Sequence, residues 1–571
     1  MLSPIRNSLT ECLAVKDKPD FANRLATREP SRDRPRRVTA LLLLLVAVCF
    51  VPRALMASRI DTVCVDGTLY FHLADGLERG QIDPLDSGHL QTGTYPVVLA
   101  TLHRWGLEWE SGAKLYGVLV STLAVLPLFG WARRQFDERV ATLACLLYAG
   151  HPKLIEWSPE AVREPSVWFF FLLSLYLLWR AATEVDWRFF AAGGAATALT
   201  SLTRFEGWFL LFPLLGWTSI RFFHLHSGRW RLVGGCACGL AAVPVVFLAF
   251  GQMLPSGAGW RHLRSEPLER AGVWLLSWQA VNTESSAPVN PESSPPPAAA
   301  QTAAPPPVAA VPPSWTVGQS FRLLLSTFER GLTPLFAILM FGGYFSRLRL
   351  FHRSDNLPLL LIVLAVTAGI WIHLWHAHLA SSRYVLTIVL VATRSAALGL
   401  MEFGQLAARW LSGRWPRAQF ATTAGLLLVF VMAGSIDAVS SDFQSRGALA
   451  SLGTWIRARC GHEPLVVGSE SQLMLVGYYA HGTAYAFPHE LSGEALAGWI
   501  GHVQPDVVVI SKRRQQPADY QTILDQRERL GLELIVPDLI PCDTKNMIVL
   551  ARPNTSRQVL RQATRGAIEP P

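Results

Sequence analysis

Carboxylates, guanidiniums and phenols recur in this chain at one kind of place, the ends of long apolar runs. Asp66 and Tyr70 follow the first run, Arg163-Glu164 precede a later one, Arg204-Phe205-Glu206 separate two more, and the stretch from His373 to Arg383-Tyr384 lies between another two. Charge is expensive to hold beside hydrocarbon, so polar groups gathered there point to a reaction site more than to packing. A carboxylate such as Asp66 can take the proton of an attacking hydroxyl. Arg383 offers the planar fork that suits phosphate oxygens, with the Tyr384 hydroxyl as a further donor and Lys153, Arg163 and Arg204 as reserve cations.

The runs that would position these groups are long enough to cross about 30 Å of hydrocarbon. Eleven are read, near 38–57, 112–131, 140–156, 166–182, 189–203, 206–222, 232–252, 332–346, 357–375, 384–401 and 419–437. The chain has 571 residues, 50% of them hydrophobic and 16% charged, with 20 Trp and 28 Phe, a balance that excludes an ordinary soluble globule. The expected class is therefore a polytopic α-helical membrane protein of about 11 spans.

The net charge of +9 invites a nucleic-acid partner, but its distribution argues against one. Six arginines from Arg24 to Arg37 precede the first run, and alternate short loops carry Arg133, Arg134 and Arg139, then Arg180 and Arg188, and so on to Arg409, Arg414 and Arg417. The positive-inside rule assigns these to the cytoplasm, so the basic balance is a topology signal. From a cytoplasmic N-terminus, an odd number of spans leaves the C-terminal segment outside, together with all four polar places.

Residues 1–37 read as a cytoplasmic disordered tail and 38–437 as the membrane domain. Within it, 58–111 is the first outer loop, with an amphipathic, interface-lying stretch at Tyr95–Trp105, and 286–314 is a Pro/Ala/Ser insertion that cannot build a core. Residues 440–555 alternate short apolar strands, such as Leu465-Val466-Val467 and Val507-Val508-Val509-Ile510, with helical patterns. They predict a small extracytoplasmic α/β domain, a scaffold or acceptor-binding module, before a tail at 556–571. Cys460 and Cys542 both fall there, where a disulfide is chemically permitted.

Several stretches, in order, resemble the GT-C glycosyltransferases, especially the bacterial relatives of protein O-mannosyltransferases and of the aminoarabinose transferase acting on lipid A. They are Val65-Asp66-Gly67-Thr68-Leu69-Tyr70, Tyr95-Pro96-Val97-Val98-Leu99-Ala100, Arg163-Glu164-Pro165, Leu202-Thr203-Arg204-Phe205-Glu206-Gly207 and Ser382-Arg383-Tyr384. Phe205 stands where that family has Pro, and Gly67 where it often has a second acid, a role that is then vacant or moved to Asp61. The resemblance implies a GT-C fold in a membrane such as the bacterial inner membrane. It also implies an inverting transfer from a polyprenyl-phosphate-linked sugar to a lipid, glycan or protein acceptor, with Asp66 as general base. A nucleotide sugar is cytoplasmic, which makes a lipid-linked donor the natural choice on the outer side.

Each residue also has a plainer reading. Asp66, Asp61 and His89 can be solvated loop residues, and Arg163-Glu164 a local ion pair closing its loop. Arg204 and Glu206 can brace a tight turn, and Arg383 can anchor to lipid phosphate. No cofactor is assigned and no metal ligand is named; a divalent metal is left open, with His373, His376 and His378 clustered at one helix end and His262 in a loop, but His376 and His378 do not share a helix face. Two other functions stay in view: a surface polysaccharide polymerase or ligase using the same carrier, and a transporter or flippase for lipid-linked sugars. A transporter predicts mid-membrane charges and paired broken helices, which the pattern lacks.

Overall fold

The computed structural model describes residues 34–80, 93–225, 227–254, 317–346, 356–377, 381–411, 418–440, 444–460, 463–469, 473–488, 491–512, 517–535 and 547–553. His89, His262, His378, Cys542, the 286–314 insertion, the 556–571 tail and residues 1–33 lie outside the described residues. The first helix, α1 (Arg34–Ala57), begins inside the segment expected to be tail.

A short amphipathic pair follows, α2 (Val65–Glu78) with Asp66 in its first turn, and α3 (Thr94–Arg104). Next, α4 (Trp109–Leu123) and α5 (Val125–Gln135) run on as one apolar rod. Asp137 accepts the Val140 N–H at 2.8 Å and so starts α6 (Glu138–Ala149). Pro152 opens α7 (Pro152–Trp157), where its missing N–H costs nothing. Glu164 and Pro165 open α8 (Glu164–Glu184), and Asp186 caps α9 (Trp187–Thr203). A 3-10 turn, Phe205–Leu210, leads into α10 (Leu211–His224), followed by α11 (Arg229–Met253). Amphipathic α12 (Val317–Leu332) meets α13 (Pro334–Ser346) at 90°, with Thr333 between them at φ 58°. Then come α14 (Leu357–Ala377), a 3-10 turn at Ser382–Val385, α15 (Leu386–Leu411) and α16 (Ala418–Ser440).

Among the described residues, seven segments are long and apolar enough to cross a membrane, or eight if the bent α12–α13 pair counts as one span. The chain is an integral membrane protein, but the expected eleven spans are not reached by that measure. At 140–156, 189–203 and 206–222 the helices α6, α9 and α10 have 12, 17 and 14 residues. α6 and α9 bury most of their residues against neighbouring helices, whereas α10 leaves Phe212, Leu215 and Phe223 exposed, as a lipid-facing helix does. Apolar composition alone does not distinguish those two surroundings.

Charge is also held inside the helices. Arg53, fully buried, donates to the Cys49 carbonyl at 2.9 Å and to those of Tyr148 and Ala149 at 3.4 Å, closing the end of α6. Arg394, buried in α15, binds the side chains of Gln135 and Asn356 beside the Trp131 ring.

Lipid gives little hydrophobic drive for helices to associate, so close backbone approach does much of that job. Between α13 and α15 the backbones nearly touch: a Cβ at Gly399 would lie 1.9 Å from the Leu339 carbonyl oxygen, and one at Gly343 the same distance from that of Ser395. Gly399→Ala should therefore lower stability by about 1–3 kcal/mol, the usual cost of overpacking. A thermal-unfolding scan in detergent reads this directly, and an unchanged midpoint would disprove the contact.

Beyond α16 come α17 (Gln444–Cys460), β1 (Leu465–Gly468), α18 (Leu473–Ala480), β2 (Thr483–Ala486), α19 (Gly493–Val503), β3 (Val507–Ser511), α20 (Pro517–Asp525), β4 (Glu533–Leu534) and β5 (Met547–Ala551). The five strands lie in the order β2-β1-β3-β5-β4. β1 pairs in parallel with β2 and β3, and β5 runs antiparallel to β3 and β4. Side chains of β3 alternate between two cores. Val508 and Ile510 face α19 and α20, while Val507 and Val509 join a core shared with α17, α18 and the helix that bears Asp66. Cys460 is buried at the end of α17.

Candidate active site

Four helix ends bring their polar residues to one place. Arg204, at the end of α9, donates from Nη1 to Glu164 Oε1 at 2.6 Å, and from Nη2 and Nε to Glu206 at 2.5 and 3.0 Å. Arg383, on the 3-10 turn before α15, donates from Nη1 to Asp66 Oδ2, and its Nε lies 3.6 Å from Glu164 Oε1. Glu164 thus sits between the two guanidiniums. Tyr384 lies beside both, its ring centroid 5.3 Å from the Arg204 guanidinium and 5.6 Å from that of Arg383. Trp157, at the end of α7, faces Arg383 at 5.6 Å, and His373 meets Tyr384 edge-on at 5.1 Å.

Exposure grades across this cluster. The side chains of Glu164 and Arg204 are 5% and 9% exposed, that of Arg383 18%, and that of Asp66 41%. The Glu164–Arg204 pair is thus buried, while the Arg383–Asp66 pair reaches solvent through its carboxylate. Burial alone would pull the Arg204 pKa down, but Glu206 and Glu164 together push it up, so the guanidinium stays charged. Tyr70 is buried against Tyr95, ring centroids 5.1 Å apart. Burial raises its phenol to about 12, partly opposed by Arg163 and aided by Glu164 and Asp66, so the hydroxyl keeps its proton. Burial, then Glu160 and Asp66, push the Cys64 thiol well up, which removes it as a nucleophile.

The plain reading of Arg163-Glu164 as a local ion pair is not what forms: Glu164 pairs with Arg204, 40 residues away in sequence, while half-buried Arg163 stands just before α8 without a side-chain capping bond. Lys153, expected as a reserve phosphate contact, is bound to Glu156 at 2.7 Å and lies 3.9 Å from Asp437. Asp61 is exposed on the connection before α2. The missing second acid has a steric cause: a Cβ at Gly67 would lie 2.4 Å from Val63 Cγ1 and 2.7 Å from Ala161 Cβ. Any acid there would displace the turn that carries Asp66. Among the described residues no three His, Cys, Asp or Glu side chains stand together in a way that would hold a metal ion.

Trp157 was not anticipated from sequence. One Trp among 20 carries no local mark, and only the fold brings it to Arg383. Arg446 and Tyr479, discussed below, were missed for the same reason.

ArnT from Cupriavidus metallidurans bound to undecaprenyl phosphate matches the fold at a TM-score of 0.54 and 15% identity, covering 90% of this chain and 98% of that one. The archaeal oligosaccharyltransferase AglB from Archaeoglobus fulgidus, in complex with an inhibitory peptide and a dolichol-phosphate, matches at 0.53 and 15%, covering 85% of this chain and 70% of that one. No curated protein sequence matches. At 15% identity the likeness is one of fold: the helical bundle shares the architecture of these two solved proteins. Residues 107–249, about a quarter of the chain, match the model of the dolichyl-phosphate-mannose-protein mannosyltransferase family.

Proposed function

We propose that the chain transfers a sugar, with inversion, from a polyprenyl-phosphate donor to an acceptor hydroxyl at the outer face of the membrane. The observation that carries this is the meeting of Asp66 and Arg383 at the exposed edge of a buried charge cluster. Solved proteins of the same fold hold undecaprenyl phosphate or dolichol-phosphate, which supports that class of donor. The donor phosphate competes with Asp66 for Arg383. On binding, it takes the guanidinium and releases the carboxylate beside the anomeric carbon. The acceptor oxygen then attacks that carbon, its proton passing to Asp66. The bond from the anomeric carbon to the phosphate oxygen breaks, and the bonding pair leaves with the polyprenyl phosphate, held by Arg383 and Tyr384. Glu164, gripped by Arg204, keeps Arg383 aimed.

The arginine-rich loops support a cytoplasmic N-terminus and an extracytoplasmic C-terminal unit, as in a bacterial inner-membrane protein. A surface polysaccharide polymerase or ligase would use the same chemistry and differ only in the acceptor.

Mass spectrometry of surface glycans and glycolipids, with and without this protein, tests the reading. A saccharide that disappears identifies sugar and acceptor together, and unchanged profiles refute transfer. Arg383→Ala should weaken undecaprenyl phosphate binding about tenfold or more, the worth of a charge-assisted hydrogen bond. Binding followed by tryptophan fluorescence checks this, since Trp157 lies against Arg383. Equal affinity would remove Arg383 from the donor site.

A further inference from the structure

The segment that carries Asp66 is held from the side of the C-terminal unit. The Tyr479 hydroxyl, on α18, accepts the Val63 N–H at 3.2 Å and donates to Glu110 Oε1 at 3.0 Å. It thereby ties the connection just before Asp66 to the start of α4. Tyr478 packs on Phe71, one turn beyond Asp66 in α2, with ring centroids 5.9 Å apart. Arg446, in α17, donates to Glu160 at 2.6 Å, and Glu160 is 2% exposed. Glu160 adjoins Ala161, whose carbonyl accepts from the Cys64 thiol at 3.8 Å and whose Cβ abuts Gly67. One continuous core joins the sheet face of Val507 and Val509 to Leu475, Val476, Phe71 and Tyr70.

We infer that the C-terminal unit positions Asp66, with Tyr479 and Arg446 as its positioning residues. Asp66 stands at the N-terminal end of α2, preceded by a connection, residues 58–64, without regular structure of its own. Backbone of that kind opens locally unless something outside it supplies hydrogen bonds. The Tyr479 hydroxyl supplies one, and the buried Arg446–Glu160 pair braces the strip against which Gly67 rests. A carboxylate that must reach an acceptor proton tolerates little displacement, so releasing this hold costs rate while the phosphate-binding side stays intact.

The inference rests on Asp66 as proton acceptor, and its test separates the two. Tyr479→Phe in the full chain keeps the ring and removes only the hydroxyl. Hydrogen exchange in the peptide covering 58–66 should accelerate about tenfold. Transfer, read as the saccharide lost on deletion, should fall about tenfold or more. Undecaprenyl phosphate should bind within about twofold of the parent, because Arg383 is untouched. The charge-neutral pair Arg446→Met with Glu160→Gln, which leaves no buried ion unpaired, should shift the same readouts the same way. Unchanged exchange in 58–66 overturns the inference, as does a parallel loss of phosphate binding, which would mean general collapse. Faster exchange with full transfer also overturns it, and Asp66→Asn beside it locates the fault. An inactive Asn variant leaves only the positioning wrong; an active one shows that Asp66 is not the base.

Discussion

Asp66→Asn should lower transfer by about 10²- to 10⁴-fold, the range over which a positioned general base contributes. The change is nearly isosteric and falls on the most exposed member of the cluster, so the fold should survive it. Its effect on donor affinity should have the opposite sign. In the free protein Asp66 occupies Nη1 of Arg383, the group proposed to take the donor phosphate. An amide competes for that guanidinium far less well than a carboxylate does. The Asn variant should therefore bind undecaprenyl phosphate at least as tightly as the parent while transferring almost nothing. Fluorescence titration and product mass spectrometry on one preparation measure both. Undiminished transfer would end the proposal for Asp66, and lost binding would make it a donor-site residue instead.

Arg204→Met should be the most damaging single change to the fold. Arg204 carries the contacts of Glu164, which is 5% exposed, and of Glu206. Removing it takes the 2.6 Å partner from buried Glu164, leaving only Arg383 Nε at 3.6 Å, and the partner from Glu206; breaking a buried ion pair costs about 3–5 kcal/mol. The triple variant Glu164→Gln, Arg204→Met, Glu206→Gln leaves no stranded charge and should recover most of that loss. It should stay inactive, because Arg383 then loses the acid beside its Nε. Thermal unfolding in detergent compares the two, and a single variant as stable as its parent would show that the acids are not held by Arg204. The contrast separates the cluster's two layers: Glu164, Arg204 and Glu206, which are the more buried, and Arg383 and Asp66, the pair proposed to meet the substrate.

Much of this organisation is legible in the chain before it folds. Arg383, Arg204, Glu164 and Asp66 mark themselves because charges at the ends of apolar runs are costly, and the costs are local enough to read residue by residue. The runs themselves were visible. α9, at 17 residues, buries most of its residues against other helices, and hydropathy does not distinguish that surrounding from lipid.

Pairing is the other part that sequence withholds. Glu164 was next to Arg163 in the chain and became the partner of Arg204. Gly67 looked like an acid missing from a pattern and is a place where Val63 and Ala161 leave no room. Lys153 looked available and is held by Glu156. Tyr479 and Val63 lie 416 positions apart, and nothing local to either shows that they meet.

The amino-acid order by itself determined that this is a membrane protein with a cluster of ionisable groups at helix ends, because transfer of charge and of apolar surface between water and hydrocarbon is settled one residue at a time. Which acid meets which arginine, how deeply each is buried and what holds Asp66 in place were decided only by the tertiary structure. Such contacts join residues that are distant along the chain, and their energies exist only once the helices have packed.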